Sequence, residues 1–422
     1  MPNIIFILSI CLILFIYYSL KPTIKKYLLQ AFLITIILWL TFVIILFPEE
    51  IVNASLSGLK IWFFTVFPSL LPFFIVAEIL LSLGIVNFIG ALLKPLMRPL
   101  FNVPGEGSFA FAMSITSGYP VGAKLVAKLR KSNTVSKTEA ERLVAFCSTS
   151  GPLFMIGAVA VGMLNNPKLG ALIAISHYLG AVFVGLLFRF YKRNNGNKKL
   201  YDNNTNLIDS FKDLIKGKFK KNKSLGLIMG DAVKEAISTM LLIGGFIIFY
   251  SVVIKVLSLT NVFNFISDFF PNTNPDIVKG LLSGLIEMTN GCQIVSSMHI
   301  NDYLIKVLII SFLIGWSGLS IHSQVISFIS KTDISIKIYV FSKALHGIFA
   351  VIFTYFLYFF KYKNVIVKPT IYNTQNYIYS KDWISYFSFS FKIIIIILLL
   401  IIFIGIIGNY ILYKCNKKIK AS

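Results

Sequence analysis

Apolar runs long enough to cross a bilayer recur along this 422-residue chain, and that single feature decides what it can fold into. Ile4 to Leu20, Leu28 to Phe47, Ile61 to Leu83, Leu143 to Leu164 and Leu169 to Tyr191 carry few charges or none. Charged residues are 14% of the chain and hydrophobic ones 56%, against about 25% charge in an ordinary globular chain. With a mean hydropathy of +0.80, the chain lacks the polar surface to cover itself in water. Soluble enzymes of ordinary type are excluded, and the expected fold class is an all-α polytopic membrane protein.

The net charge of +23 is not a nucleic-acid footprint. The basic residues cluster in short loops between apolar segments, as the positive-inside rule requires, and no interleaved aromatic and basic stripe is present. Cys11, Cys147, Cys292 and Cys415 lie far apart without a CxxC pair, so neither a disulfide framework nor a zinc site is expected.

Charge also orders the topology. Basic residues follow the first apolar run (Lys21, Lys25, Lys26) rather than precede it, which argues for a span starting outside and against a cleaved signal peptide. The second run returns outside at Pro48-Glu49-Glu50, and Lys94 and Arg98 lie on the cytoplasmic side. The segments Lys124–Arg142, with six basic and two acidic residues, and Lys192–Lys223, with ten and three, are expected in the cytoplasm. Between them the turn Asn165-Asn166-Pro167 faces out, as does the acidic segment Asn261–Asp276, while the lysine-rich tail lies inside. The count leaves Lys361–Lys381 outside in spite of its four lysines.

A weak repeat crosses the central linker. SITSGYP at 114–120, CSTSGP at 147–152 and a span with His177 and Gly180 are followed by EMTNG at 287–291, WSGLSIHSQ at 316–324 and a span with His346 and Gly347. Gly118 and Gly291 lie 173 residues apart; Gly151 and Gly318, and Gly180 and Gly347, both lie 167 apart. With the linker cytoplasmic, the second copy starts on the side opposite the first, so an inverted repeat is expected. Polar, Gly/Pro-interrupted segments at matching positions point to a transporter site at the repeat interface. The expected divisions are two N-terminal helices (1–57), first repeat (58–191), linker (192–224), second repeat (225–360) and a polar loop with a last span (361–422). Gly105–Lys124 and Gly280–Met298 read as re-entrant hairpins or full spans; taken as hairpins, they leave about nine spans.

Each motif has a bland reading beside a functional one. Around Ser117, Gly118 and Pro120, a broken helix would aim backbone N–H groups into a cavity, and with Lys124 would favour an anion; small residues also simply let helices pack. Ser150, Gly151 and Pro152 form a similar break, with no base or GxSxG pattern to make a nucleophile. Glu287, followed by Thr289, Asn290 and Gln293, is an ionisable group in an apolar stretch and suits a cation or a proton. Glu78 raises the same question but is expected to have no polar neighbours to form a site with it. His322, among Ser320, Ser323 and Gln324, suits proton coupling or anion pairing, whereas His177 and His346 read as helix-packing donors. No metal-ligand spacing, catalytic pair or P-loop is present.

The order SGYPVGAK, a cysteine-containing SGPLF segment, ExTxG and SGLSIHSQ resembles the YlbJ (stage V sporulation protein V) family of sporulation integral membrane proteins, within the broader group carrying nucleoside-recognition, or Gate, domains. The resemblance runs from about Gly58 to Phe360. It implies transport of dipicolinic acid from the mother cell across the outer forespore membrane during endospore formation. Fold relatives imply re-entrant hairpins like those of the concentrative nucleoside transporters. Carried over by position, the pore-lining set is Ser117, Gly118, Pro120, Ser150, Gly151 and Pro152 with Glu287, Thr289, Gly291, Ser317, Ser320, His322 and Gln324; Lys124 and Asn290 join it as polar neighbours. No cofactor beyond a coupling cation or proton is implied. The partners implied are dipicolinate and membrane lipid, with self-association or other sporulation membrane proteins left open. A flat pyridine dicarboxylate needs donors and no excess negative charge; this reading leaves Lys124 and a protonated His322 as the only cations. A nucleoside transporter of the same fold and a non-transporting scaffold are the alternatives.

Overall fold

The computed structural model describes residues 22–83, 96–192, 224–298 and 303–362, and within them every regular element is a helix. The expected first span, Lys94, most of the central linker and the last span lie outside the described residues. Among the described residues, four stretches are long and apolar enough to cross a bilayer: Lys168–Phe188, Leu225–Leu259, Tyr303–Ile329 and Ile336–Phe360. A bent pair, Gln30–Leu46 with Pro48–Phe64, makes up to five. The molecule is a polytopic membrane protein, and large side chains such as Phe32, Phe64 and Leu241 face outward as lipid requires.

α1 (Pro22–Leu46) ends at Phe47, the residue before a proline, which is pushed out of the helical region. The chain turns there by 103°. Pro48 then opens α2 (Pro48–Lys60), with Glu49 and Glu50 in the first turn facing the helix dipole. α2 runs through wide π turns at Ile61–Val66 into α3 (Phe67–Ser82), so residues 48–82 form one continuous rod.

After this rod come α4 (Gly107–Ser117), α5 (Val121–Lys131), α6 (Lys137–Phe146), the π-helical α7 (Leu153–Met163) and α8 (Lys168–Phe188). The second half holds α9 (Leu225–Leu259), short α10 (Val262–Ser267), α11 (Pro275–Ile286), α12 (Met288–Ser297), α13 (Tyr303–Trp316), α14 (Gly318–Ile329) and α15 (Ile336–Leu357). Both halves therefore run as long helix, folded helix pair, broken helix and long helix. The expected continuous span 143–164 is instead interrupted at Cys147–Gly151.

Glycines set the folding back. Gly122 lies against Ser114 and the Cys147 carbonyl, and Gly291 meets the Gly284 backbone, so α4 closes on α5 and α11 on α12. The long helices pack by similar means. Trp62 covers Gly244 and donates its indole N–H to the Met240 carbonyl at 3.0 Å, fixing the 48–82 rod along α9. Gly315 of α13 meets Gly347 of α15 backbone to backbone, and Gly180 of α8 meets His346 and Ala350.

Polar contacts gather several helix ends on one face. Arg130 donates to both oxygens of Asp333 at 2.7 and 2.9 Å, and the Ser335 N–H donates to Glu141 at 3.3 Å. Arg142 donates to the carbonyls of Asn102 (2.8 Å), Tyr191 (2.7 Å) and Lys192 (3.2 Å), tying the turn after α8 to the chain at Asn102. α6 starts there with a capping box between Ser136 and Glu139.

Candidate functional site

Each half brings the tip of its folded pair against its own broken helix. In the first half, the Thr149 N–H donates to Ser114 Oγ (3.0 Å) and Thr149 Oγ1 to the Ser114 carbonyl (2.7 Å). Tyr178 Oη lies 3.0 Å from the Ile115 carbonyl and 3.1 Å from that of Ser150, within reach of donating to either. Gly118, at φ +77°, abuts the Gly151 backbone N–H, a place with no room for a Cβ. In the second half, Trp316 donates to the Leu285 carbonyl at 3.1 Å, and Gly318 (φ +74°) abuts Met288 N and the carbonyls of Gly284 and Ile286. The two motifs of each half, some thirty residues apart in sequence, form one structure.

The two assemblies meet at a cavity of about 40 Å³, room for roughly two or three waters. Ser117, Gly118, Ser150 and Gly151 line it from the first half, and Glu287, Thr289 and Gln324 from the second. Tyr119, Phe154, Met288 and Ile321 complete that wall, and Val66, Leu70, Ile243 and Ile247 bring in the rod and α9. Both ends of the Gln324 amide, and the Ser117 hydroxyl, are buried there without a hydrogen-bond partner among the described residues. Such groups are expensive to leave unpaired.

Glu287 is a cap as well as a wall. It sits between α11 and α12 in extended conformation, and Oε2 accepts the Asn290 N–H at 2.7 Å. The start of α12 thus supplies the positive end of a helix dipole to a buried carboxylate.

The remaining expected residues stand elsewhere. Pro120 precedes α5 and Pro152 precedes α7, shaping the breaks without lining the cavity. Ser317, at φ +80°, forms the bend between α13 and α14, and Ser320 is buried on α14. Gly291 belongs to the α11–α12 crossing. Asn290 turns away, donating to Ser251 of α9 at 2.7 Å. His322 bonds the Tyr339 hydroxyl (3.1 Å) and meets the Trp316 ring edge-on at 4.4 Å. Lys124 lies 3.6 Å from Glu235, with both side chains well exposed.

Two sequence readings need correction. Glu78 does have polar neighbours, since Ser117 and Thr239 line the same small crevice. Lys124 and His322 are also not the only cations available. Lys343 of α15 is fully buried, donating to the Ser148 carbonyl at 2.7 Å, with its Nζ 5.9 Å from the centre of the Tyr119 ring. An ionisable residue in an apolar span is a functional candidate by default; that rule, applied to Glu287, also picks out Lys343. His177 and His346 do pack helices, with His346 Nε2 on the His177 carbonyl at 2.9 Å.

A second, open crevice of about 370 Å³ lies among α2, α9, α11 and α12, lined by Glu50, Asn53, Ser57, Lys255, Lys279 and the Ser251–Asn290 pair.

Comparison with known proteins fits this architecture. Residues 63–167 match the Gate family, described as nucleoside recognition. Over 333 residues the chain is 43% identical to the sporulation integral membrane protein YlbJ of Bacillus subtilis (strain 168), spanning 76% of this chain and 81% of the relative. The chain belongs to the YlbJ family of sporulation integral membrane proteins. No solved structure matches it. In this YlbJ-family chain the Gate match takes in the first half's hairpin tip and broken helix, with Gly118 and Gly151, and ends at Pro167, before α8.

Proposed function

We propose that the chain is a secondary transporter carrying dipicolinate across the outer forespore membrane, with two halves of opposite sense. The observation that carries this reading is the meeting of two hairpin tips and two broken helices at one cavity with polar groups in a largely apolar wall. Broken helices survive at membrane depth only when protein or a water-filled cavity satisfies their free backbone groups, and transporters place substrate at such points. The face shared by Arg130, Tyr191 and Asp333 supports the inversion. From it the α4–α5 hairpin enters on that face and the α11–α12 hairpin on the other.

The lining suits a planar dicarboxylate. Ser117, Ser150, Thr289 and Gln324 offer donors, the break at Gly151 offers backbone N–H groups, and Lys343 places positive charge behind the wall. The cavity holds far less space than that solute needs. Transport then requires one hairpin to withdraw, and the open crevice by Ser251 and Asn290 is the approach on the α11–α12 side.

The test is uptake of labelled dipicolinate by proteoliposomes holding the full chain, with a nucleoside mixture as competitor and a pH step as drive. Saturable uptake untouched by nucleosides is expected. Competition by nucleosides would favour the reading suggested by the Gate match. An inert protein under every gradient would leave a scaffold role.

A further inference from the structure

Lys343 has none of its surface exposed, and no carboxylate is among its partners in the described residues. Its Nζ donates to the Ser148 carbonyl at 2.7 Å and to His346 Nδ1 at 3.0 Å. His346 passes its own Nε2–H to the His177 carbonyl at 2.9 Å, and His177 Nε2 accepts the Ser150 N–H at 2.9 Å. His177 Nε2, which accepts a backbone N–H, has no place for a second proton, and in the Lys343–His346 bond the shared proton belongs on the amine, the stronger base of the two. Lys343 is under no such restriction. Its amine keeps two N–H groups for its two acceptors, and its ammonium adds a third.

Among the described residues, none of the groups in direct contact with it is a carboxylate. Tyr339 shares α15 and bonds His322 of α14; Cys147 precedes the break; α8 brings His177 and Tyr178; Tyr119 comes from the hairpin tip. α13 carries Tyr303 and Lys306 only at its start. Glu141 and Arg142 of α6 lie at the level of Ser335, about 12 Å along α15 from Lys343. Glu287 lines the cavity from the other half, engaged at the start of α12.

We infer that Lys343 couples protons to the solute: it gains a proton when a carboxylate enters the cavity and returns it when the anion leaves. This rests on reading the cavity as an anion site. Nζ bonds the Ser148 carbonyl, two residues before Ser150, and faces the Tyr119 ring, while Ser150 and Tyr119 line that cavity; charges attract over such a layer when water is excluded. A buried ammonium without a counter-ion is costly, whereas ammonium and anion together offset one another. The linkage is reciprocal, so whatever the anion contributes to protonation, protonation returns to anion affinity. The proton comes from and returns to solvent, and no covalent bond beyond N–H forms or breaks.

Calorimetry of dipicolinate binding to the purified full chain, in buffers of different ionisation enthalpy near pH 8, reads the proton count directly. About one proton taken up per solute is expected. Lys343→Met should abolish that uptake and weaken binding roughly tenfold or more, while Lys343→Arg, permanently charged, should bind without it. The wild-type measurement stands even if a variant folds poorly. Binding by the wild type with no proton uptake would overturn the coupling and leave the anion reading intact. No dipicolinate binding at any pH would overturn both.

Discussion

Tyr119 and Met288 stand at the tips of opposite hairpins, 169 residues apart, and Tyr119 Oη donates to Met288 Sδ at 2.7 Å. Both side chains line the central cavity, so their contact closes it where the halves meet. If transport needs the tips to part, holding them together stops it. A double Tyr119→Cys, Met288→Cys variant treated with a short bifunctional thiol reagent should lose uptake, while either single variant so treated retains it. Unchanged uptake in the linked protein would show that the tips stay together during the cycle.

Gly291 has no space for a side chain, because the Gly284 backbone occupies it. Gly291→Val should lower stability by about 2 kcal/mol or more through overpacking, seen as a lower midpoint of thermal unfolding in detergent. Gly245, with nothing within 4 Å of an added Cβ, is the control; Gly245→Ala should be neutral or stabilise by up to about 1 kcal/mol.

Glu287 combines a cap with a place in the cavity wall. Glu287→Gln keeps an acceptor for the Asn290 N–H and should cost about 1 kcal/mol or less, whereas Glu287→Ala loses the cap and should cost about 1–2 kcal/mol. Loss of uptake in Glu287→Gln at normal membrane levels would assign the carboxylate a transport role. A fall in uptake that only tracks protein level would make it structural.

Lys124 and Gln324 separate surface from site. The Lys124–Glu235 pair is exposed, and such pairs contribute at most about 1 kcal/mol, so Lys124→Gln should leave uptake and stability nearly unchanged. Gln324→Ala removes unpaired polar atoms from the cavity and should reduce uptake without loss of stability. The reverse pattern in proteoliposomes would move the site toward α5.

Arg130 holds the Asp333 carboxyl below the usual carboxylate range through a two-pronged hydrogen bond. A depressed carboxylate contributes stability above its unfolded value, about 3.9, and that contribution fades as pH falls through its lower folded value. Asp333→Asn should therefore be less stable than the wild type at pH 7, by no more than about 1 kcal/mol for so exposed a pair. The two should converge in strong acid. A difference that persists below pH 3 in thermal melts would assign the loss to geometry, not charge.

Much of this architecture is legible in one dimension. The proline that opens the rod, and glycine and serine at the breaks, act through local backbone preference, which the sequence carries directly. Which polar residues face one another is another matter. Asn290 and Thr289 are neighbours in sequence, yet one turns to Ser251 and the other to the cavity, because successive helix positions point about 100° apart. Glu78 gained polar neighbours in the same way, from α4 and α9.

Composition and apolar run length alone determined that this chain lives in a bilayer as helices, since no other backbone arrangement open to such runs satisfies its own hydrogen bonds there. The order of the motifs likewise carried the family. Only the tertiary structure decided that Lys343, and not Lys124, is the lysine buried against Ser148 and Tyr119. A lysine is placed by what its helix packs against: α15 is buried on α6, α8 and α13, whereas Lys124 lies on the exposed face of α5. Burial, the property that makes a charge expensive and therefore useful, is a relation among distant segments and has no value at a single position.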